Sequence, residues 1–251
     1  ELSGVGGRLP GSFPSLDDVN GRIELAGNRA TIQGLRGGLG RSQFTLSGSV
    51  DWSGEGAPTL DMQLAGDNLL LLRTRDLRAR ADVDVRATGP FDALLVAGNV
   101  NVTDVVYTAT TSFLGGGGAA TAGDGVQLFS IPDGPLATMR FDIDVRADDT
   151  IRVRTNVMKG NVTARVKLGG TGAEPALQGR VSFPDMLVKL PFSSLKVDRG
   201  EARFDEADPT QPFLEAEAHT EMKGYELTVR VRGRLPDVDI RVASVPPLPQ
   251  N

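Results

Sequence analysis

An every-second-residue alternation of apolar and polar side chains recurs through most of this chain, and few folds tolerate it. Residues 139–147 read Met-Arg-Phe-Asp-Ile-Asp-Val-Arg-Ala, apolar at every odd position and charged at every even one. The same period runs through 79–87 (Ala-Arg-Ala-Asp-Val-Asp-Val-Arg-Ala), 160–168 (Gly-Asn-Val-Thr-Ala-Arg-Val-Lys-Leu) and 225–232 (Tyr-Glu-Leu-Thr-Val-Arg-Val-Arg). A strand sends successive side chains to opposite faces, so each segment has one oily face and one wet face. No helical period competes with it. The fold class is therefore all-β, and the functional question is what covers the oily face.

Short strands follow one another from residue 21. Turn residues bound candidates at 21–27, 29–36, 42–52, 58–66, 68–75, 77–87, 94–107, 137–147, 150–157, 160–168, 176–190, 194–204, 212–222, 224–234 and 237–243. Separators include Gly66-Asp67-Asn68 and Asp148-Asp149. Leu187–Leu195 has mixed spacing and room for one short helical turn, limited by Pro184 and Pro191. Residues 1–20, rich in Gly, Pro, Ser and Asp, read as a linker or loop. Residues 108–134, with Gly115–Gly118 at their centre, read as a flexible insertion. Residues 21–249 then form one continuous β domain.

An internal repeat is visible without gaps. At an offset of 81, Ala81, Val83, Val85 and Ala87 fall on Val162, Ala164, Val166 and Leu168. Gly89 falls on Gly170, and Val96, Gly98, Val100 and Val102 fall on Leu177, Gly179, Val181 and Phe183. A one-residue slip would turn an oily face to water, so agreement over both strands of a hairpin is informative. Repeated strand pairs suit a quasi-linear sheet.

The chain is poor in catalytic material, which points away from an enzyme. The single histidine, His219, shares a polar face with glutamates and reads as solvated or ion-paired. The i, i+2 carboxylates Asp82/Asp84, Asp142/Asp144 and Asp237/Asp239 each neighbour an arginine (Arg86, Arg146, Arg241). Threefold recurrence reads as cross-strand ion pairing rather than a glycosidase pair. Gly34–Ser42 lacks the Lys and the spacing of a phosphate loop, and Ala122–Val126 is one isolated fragment of a calcium-binding turn repeat. No catalytic residue, no metal site and no cofactor is expected. A net charge of −5 with mixed signs excludes a nucleic-acid surface. No apolar run approaches the roughly 18 residues of a membrane span. The chain has no cysteine and opens Glu1-Leu2-Ser3, and it reads as a piece of a longer protein.

Apolar residues make up 39% of the chain and aromatics 5%, thin content that suits a shallow interior. Two readings stay open on the residues alone. The oily face is a sandwich core covered by a second sheet, or it is a groove whose cover is a ligand.

The stretch 137–249 resembles the C-terminal domain of the TamB family, within the AsmA-like group of bridge-type lipid transfer proteins. The resemblance is carried by Val162-Thr-Ala-Arg-Val-Lys-Leu-Gly-Gly-Thr-Gly, Glu174-Pro-Ala-Leu-Gln-Gly-Arg-Val-Ser-Phe and Val197-Asp-Arg-Gly-Glu-Ala-Arg-Phe-Asp. It continues through Gln211-Pro-Phe-Leu-Glu-Ala-Glu-Ala, Gly224-Tyr-Glu-Leu-Thr-Val-Arg-Val-Arg-Gly and Ser244-Val-Pro-Pro-Leu-Pro. It implies an elongated, lengthwise-folded open β-sheet groove with a hydrophobic interior, in the periplasmic part of an inner-membrane-anchored envelope protein. It also implies movement of phospholipid between inner and outer membranes and support for outer-membrane protein assembly. The implied partners are phospholipid acyl chains (detergent being able to take their place) and a TamA-like outer-membrane barrel of the Omp85 superfamily. The alternative is a scaffold that docks such a barrel without carrying lipid. On the groove reading the lining is Val83, Val85, Val100, Val102, Phe141, Ile143, Val145, Ile151, Val153, Val162, Val166, Leu168, Val181, Phe183, Leu227, Val229, Val231, Val238, Ile240 and Val242.

Overall fold

A computed structural model describes residues 2–7, 15–109, 137–190, 193–206, 208–222 and 224–247. The described residues form strands and connections, with no helix. The strands are β1 (Leu2–Gly7), β2 (Leu16–Ala26), β3 (Arg29–Leu39), β4 (Ser42–Asp51), β5 (Thr59–Arg73), β6 (Leu77–Pro90), β7 (Leu95–Tyr107) and β8 (Arg140–Arg154). They continue as β9 (Met158–Gly170), β10 (Pro175–Ser182), β11 (Leu187–Lys189), β12 (Ser194–Phe204), β13 (Phe213–Met222), β14 (Tyr225–Arg234) and β15 (Asp237–Val245). All belong to one open sheet in chain order, β11 lying between β9 and β12 beyond the end of β10. The insertion expected at 108–134 and the calcium-turn fragment at Ala122–Val126 lie, apart from residues 108 and 109, outside the described residues.

Most neighbours are antiparallel, as suits connections of two to eight residues. The exception is β7 beside β8. Arg140 donates its N–H to Leu94 O at 2.8 Å, and Thr138 Oγ1 to Asp92 O, so both strands start together and run parallel. Parallel neighbours need a long crossover, and the connection after Tyr107 has that length.

Several turn signals are bulges inside longer strands. Gly66-Asp67-Asn68 does not end a strand: β5 runs through it, with a register shift between Gly66 and Leu69 and Asn68 at φ +50°. Asp148-Asp149 likewise sits inside β8, with Asp149 at φ +58°. Asp and Asn tolerate the left-handed conformation of a bulge as well as that of a turn, so composition alone does not separate the two. Gly37-Gly38, which by composition also reads as a turn between 29–36 and 42–52, stays within β3, and the turn falls on Gly40-Arg41. Residues 1–20 are not loop throughout, since β1 pairs with β2, which already begins at Leu16. The segment at 187 is the short strand β11 rather than a helical turn, and the expected strand 176–190 is broken at Pro184-Asp185.

The chain divides into two compact units. Unit 1 is Glu1–Val105, Phe129–Arg146 and Lys167–Ala176; unit 2 is Val106–Leu128, Ala147–Val166 and Leu177–Asn251. Unit 1 has a closed core of Val19, Leu35, Leu39, Phe44, Leu69, Ala81 and Val83. Gly37 makes room in it: a Cβ there would lie 2.8 Å from both Phe44 Cζ and Val19 Cγ2. In unit 2 the buried cluster is smaller, Met186, Val197 and Ala218. There Phe183 lies over Gly200, where a Cβ would approach its ring to 2.1 Å.

The repeat at offset 81 has a backbone counterpart. Gly98 (φ +145°) and Gly179 (φ +129°) lie on the apolar faces of β7 and β10. A Cβ on Gly98 would sit 2.2 Å from Asp84 O, and one on Gly179 would sit 2.3 Å from Arg165 O. Asp84 and Arg165 are themselves related by the same offset. The same strand pair thus occurs twice along the chain, each time closed by a glycine that no L-residue replaces without strain.

Candidate functional site

Cross-strand partners hold much of the chemistry-bearing polar face. Arg86 reaches Asp61 on β5 rather than the aspartates of its own strand, with Nε at 2.6 Å from Oδ1. That hydrogen bond holds the Asp61 carboxyl below the usual carboxylate range. Asp84 accepts from Gln63 at 2.9 Å, and Asp82 from the Asn68 N–H at 2.8 Å and from Asn101 at 3.2 Å. Asp142 pairs with Lys167 at 2.6 Å, and this hydrogen bond raises the lysine above its ordinary value. Asp239 pairs with Arg241 at 2.8 Å. His219 Nδ1 lies 2.6 Å from Asp198 Oδ2. Among the described residues, no cluster of three or more His, Asp or Glu side chains has the geometry of a metal site. Gly34–Ser42 runs along β3 into a turn and then into β4, with no helix for a phosphate to cap.

Unit 2 also has a polar cavity of about 840 Å³ that sequence reasoning missed. Arg165, Arg180, Arg203, Arg232 and Arg234 surround it, with Phe213 and Asp205. Phe213 breaks the alternation by standing on the polar face of β13. The Arg203 and Arg232 guanidinium carbons lie 5.5 and 5.9 Å from its ring centroid. That misplaced aromatic in Gln211-Pro-Phe-Leu-Glu is the signal that could have located it. Arg234 pairs with Asp205 at 2.9 Å and Asp208 at 3.3 Å, Arg180 with Glu201 at 3.2 Å, and Arg203 with Glu201 and Glu215 at 3.4 and 3.5 Å. These carboxylates neutralise most of the cation charge.

The apolar face is assembled differently. Of the twenty lining candidates, Val83 and Ile143 are buried, and Ile240 and Val242 are exposed. The other sixteen (Val85, Val100, Val102, Phe141, Val145, Ile151, Val153, Val162, Val166, Leu168, Val181, Phe183, Leu227, Val229, Val231 and Val238) are half-buried. In unit 1, Val83 is part of the closed core, with Val85 and Val100 packed against it. In unit 2, Val153, Val162 and Phe183 pack on the small buried cluster.

Register places the C-terminal candidates side by side. Ala216 stands opposite Val231, and Val231 opposite Ile240. Ala218 stands opposite Val229, and Val229 opposite Val242. Thr220 stands opposite Leu227. Directly opposed residues share a face, so β13–β15 present a continuous apolar strip. It widens from alanine on β13 to valine and isoleucine on β15. Ile240 and Val242 remain 59% and 60% exposed. Chemically the strip offers a mostly apolar surface, with the Thr220 and Ser244 residues flanking Leu227 at one end.

Among the described residues no helix is long and apolar enough to cross a membrane. No curated protein matches the chain. A family model does match: the TamB C-terminal domain, over residues 33–251.

Proposed function

The chain belongs to the TamB family, and from that premise we propose that its apolar face is a path for phospholipid acyl chains. Family membership places it in the bacterial envelope, with a role in outer-membrane protein assembly or lipid transport. The proposal narrows that role to a passive segment of a periplasmic bridge between the inner and outer membranes. It involves no catalytic step and no cofactor. The observation that carries it is the strip on β13–β15, apolar in register and half-buried or exposed throughout β14 and β15.

The energetics support the reading. Each buried methylene contributes about 0.8 kcal/mol, so a sixteen-carbon tail gains about 10 kcal/mol before ordering costs. Successive positions along such a strip are nearly equivalent, so a bound tail meets no single deep site and can slide.

Native mass spectrometry of the purified chain with phospholipid tests this. Bound phospholipid is expected, and Val145→Asp or Val229→Arg should abolish it while Asp144→Lys leaves it intact. A chain that never takes up lipid, or whose lipid survives both apolar substitutions, refutes the path.

The second reading is a scaffold that docks a TamA-like barrel of the Omp85 superfamily. Its support is that β15 pairs with one neighbour alone among the described strands, leaving an edge where a partner strand can add. Capture of the barrel's periplasmic domains, insensitive to Val229→Arg, would favour it.

A further inference from the structure

β15 ends the sheet. Among the described strands it pairs with β14 alone, and its other side faces none of them. The opposite edge, β1, is short and shifts register twice against β2, and makes a poor template. β15 is regular over all nine of its pairings with β14.

The charges on β15 are incompletely matched from the β14 side. Asp239 stands opposite Arg232, but Arg241 stands directly opposite Arg230. Like charges in that position are destabilising. Arg230 leans instead to Glu217 at 3.2 Å, and Arg241 to Asp239 on its own strand at 2.8 Å. Arg241 remains 81% exposed and Asp239 58% exposed. An added strand that placed a carboxylate opposite Arg241 would complete the pattern.

The sequence of β15 supplies that strand. We propose that β15 is self-complementary, and that two copies of this chain pair along it, antiparallel, about a two-fold axis at Ile240. In that register Ile240 meets its own mate, Val238 meets Val242, and Asp239 meets Arg241 twice. Other registers fail. Centring on Asp239 or Arg241 sets a like pair face to face, and centring on Val238 sets Asp237 against Asp239. Any odd slip puts charged residues opposite apolar ones. Centring on Val242 pairs no opposite charges, so the Ile240 register alone joins Asp239 to Arg241 in both directions with no like pair face to face, and it covers the two most exposed members of the apolar strip. An interface with this symmetry closes on itself as a dimer.

One strand pairing is a small interface, below about 1,200 Å² in total, so the dimer is expected to be weak, with a Kd of about 10 μM or above. Sedimentation of the 251-residue chain from 1 to 300 μM should show the mass rising toward twice the monomer's. Arg241→Asp should weaken association at least tenfold, because Asp239 of each copy then meets a carboxylate. The swapped double variant, Asp239→Arg with Arg241→Asp, should restore it. Because the chain contains no cysteine, cross-linking reads the register directly. Ile240→Cys should oxidise to a disulfide dimer. Val242→Cys should not, since the two copies of residue 242 would lie about 13 Å apart along the ladder. Circular dichroism checks that each variant is folded. A monomer at every concentration, failure of the swap to rescue, or equal cross-linking at 240 and 242 overturns the proposal. The outcome is independent of lipid uptake by the monomer.

Discussion

The two units are built from the same alternating strands, yet unit 1 closes its apolar face and unit 2 leaves much of its own open. The difference lies in side-chain size and in one bulge. In unit 1 the register shift after Gly66 turns Leu69 fully inside, against Ala81. Phe44, Leu35 and Leu39 fill the remaining space. In unit 2 the apolar face of β12 and β13 carries Ala202, Ala216 and Ala218, whose methyl groups cannot reach across. The same binary pattern therefore specifies a sheet in both units, while residue volume decides whether the sheet becomes a core.

Removing bulk from the closed unit is the strongest way to break this contrast. Leu69→Ala should cost about 2 to 5 kcal/mol, read as a lower urea midpoint by the fluorescence of Trp52, which lies in unit 1. A loss below about 1 kcal/mol would mean that unit 1 has no true core. The repeated glycines test what the units share. Gly98→Ala and Gly179→Ala each force a Cβ onto a partner carbonyl at positive φ, and each should cost about 1 to 3 kcal/mol. Unequal costs would show that the repeat is one of sequence and not of mechanics.

The alternation made the all-β class and most strand positions legible from sequence, because period 2 over nine residues has no other stable reading. The hairpin repeat was legible for the same reason, down to Gly98 and Gly179. Bulges were not, since Asn68 and Asp149 carry the same local chemistry in a bulge as in a turn. The parallel join of β7 to β8 was not, because nothing within either strand encodes its neighbour's direction. For the candidate site, alternation identified which residues share a face but not how covered each is. Val83 and Val229 read alike in sequence, and one is core while the other is half-open, because cover comes from Leu69 and Phe44, distant in the chain.

Smaller effects sharpen the contrast further. Val231→Ala, on the open strip, should cost less than about 1 kcal/mol in the lipid-free chain, since the valine is already partly in water. A cost equal to that of Leu69→Ala would show that something covers β14. The smallest expected effect is electrostatic and lies on the polar face of unit 1. Asp61 titrates below its ordinary range because Arg86 donates to its carboxylate. A depressed carboxyl stabilises the fold above its unfolded pKa, and that contribution is lost as pH falls through the folded value. Wild-type chain should therefore lose more stability than Asp61→Asn between pH 7 and pH 3. Both groups are solvent-exposed, so raising the salt at pH 7 should shrink the gap between the two proteins. Identical acid profiles would show that the pair is geometry without consequence for stability, and that unit 1 is held by its apolar core alone.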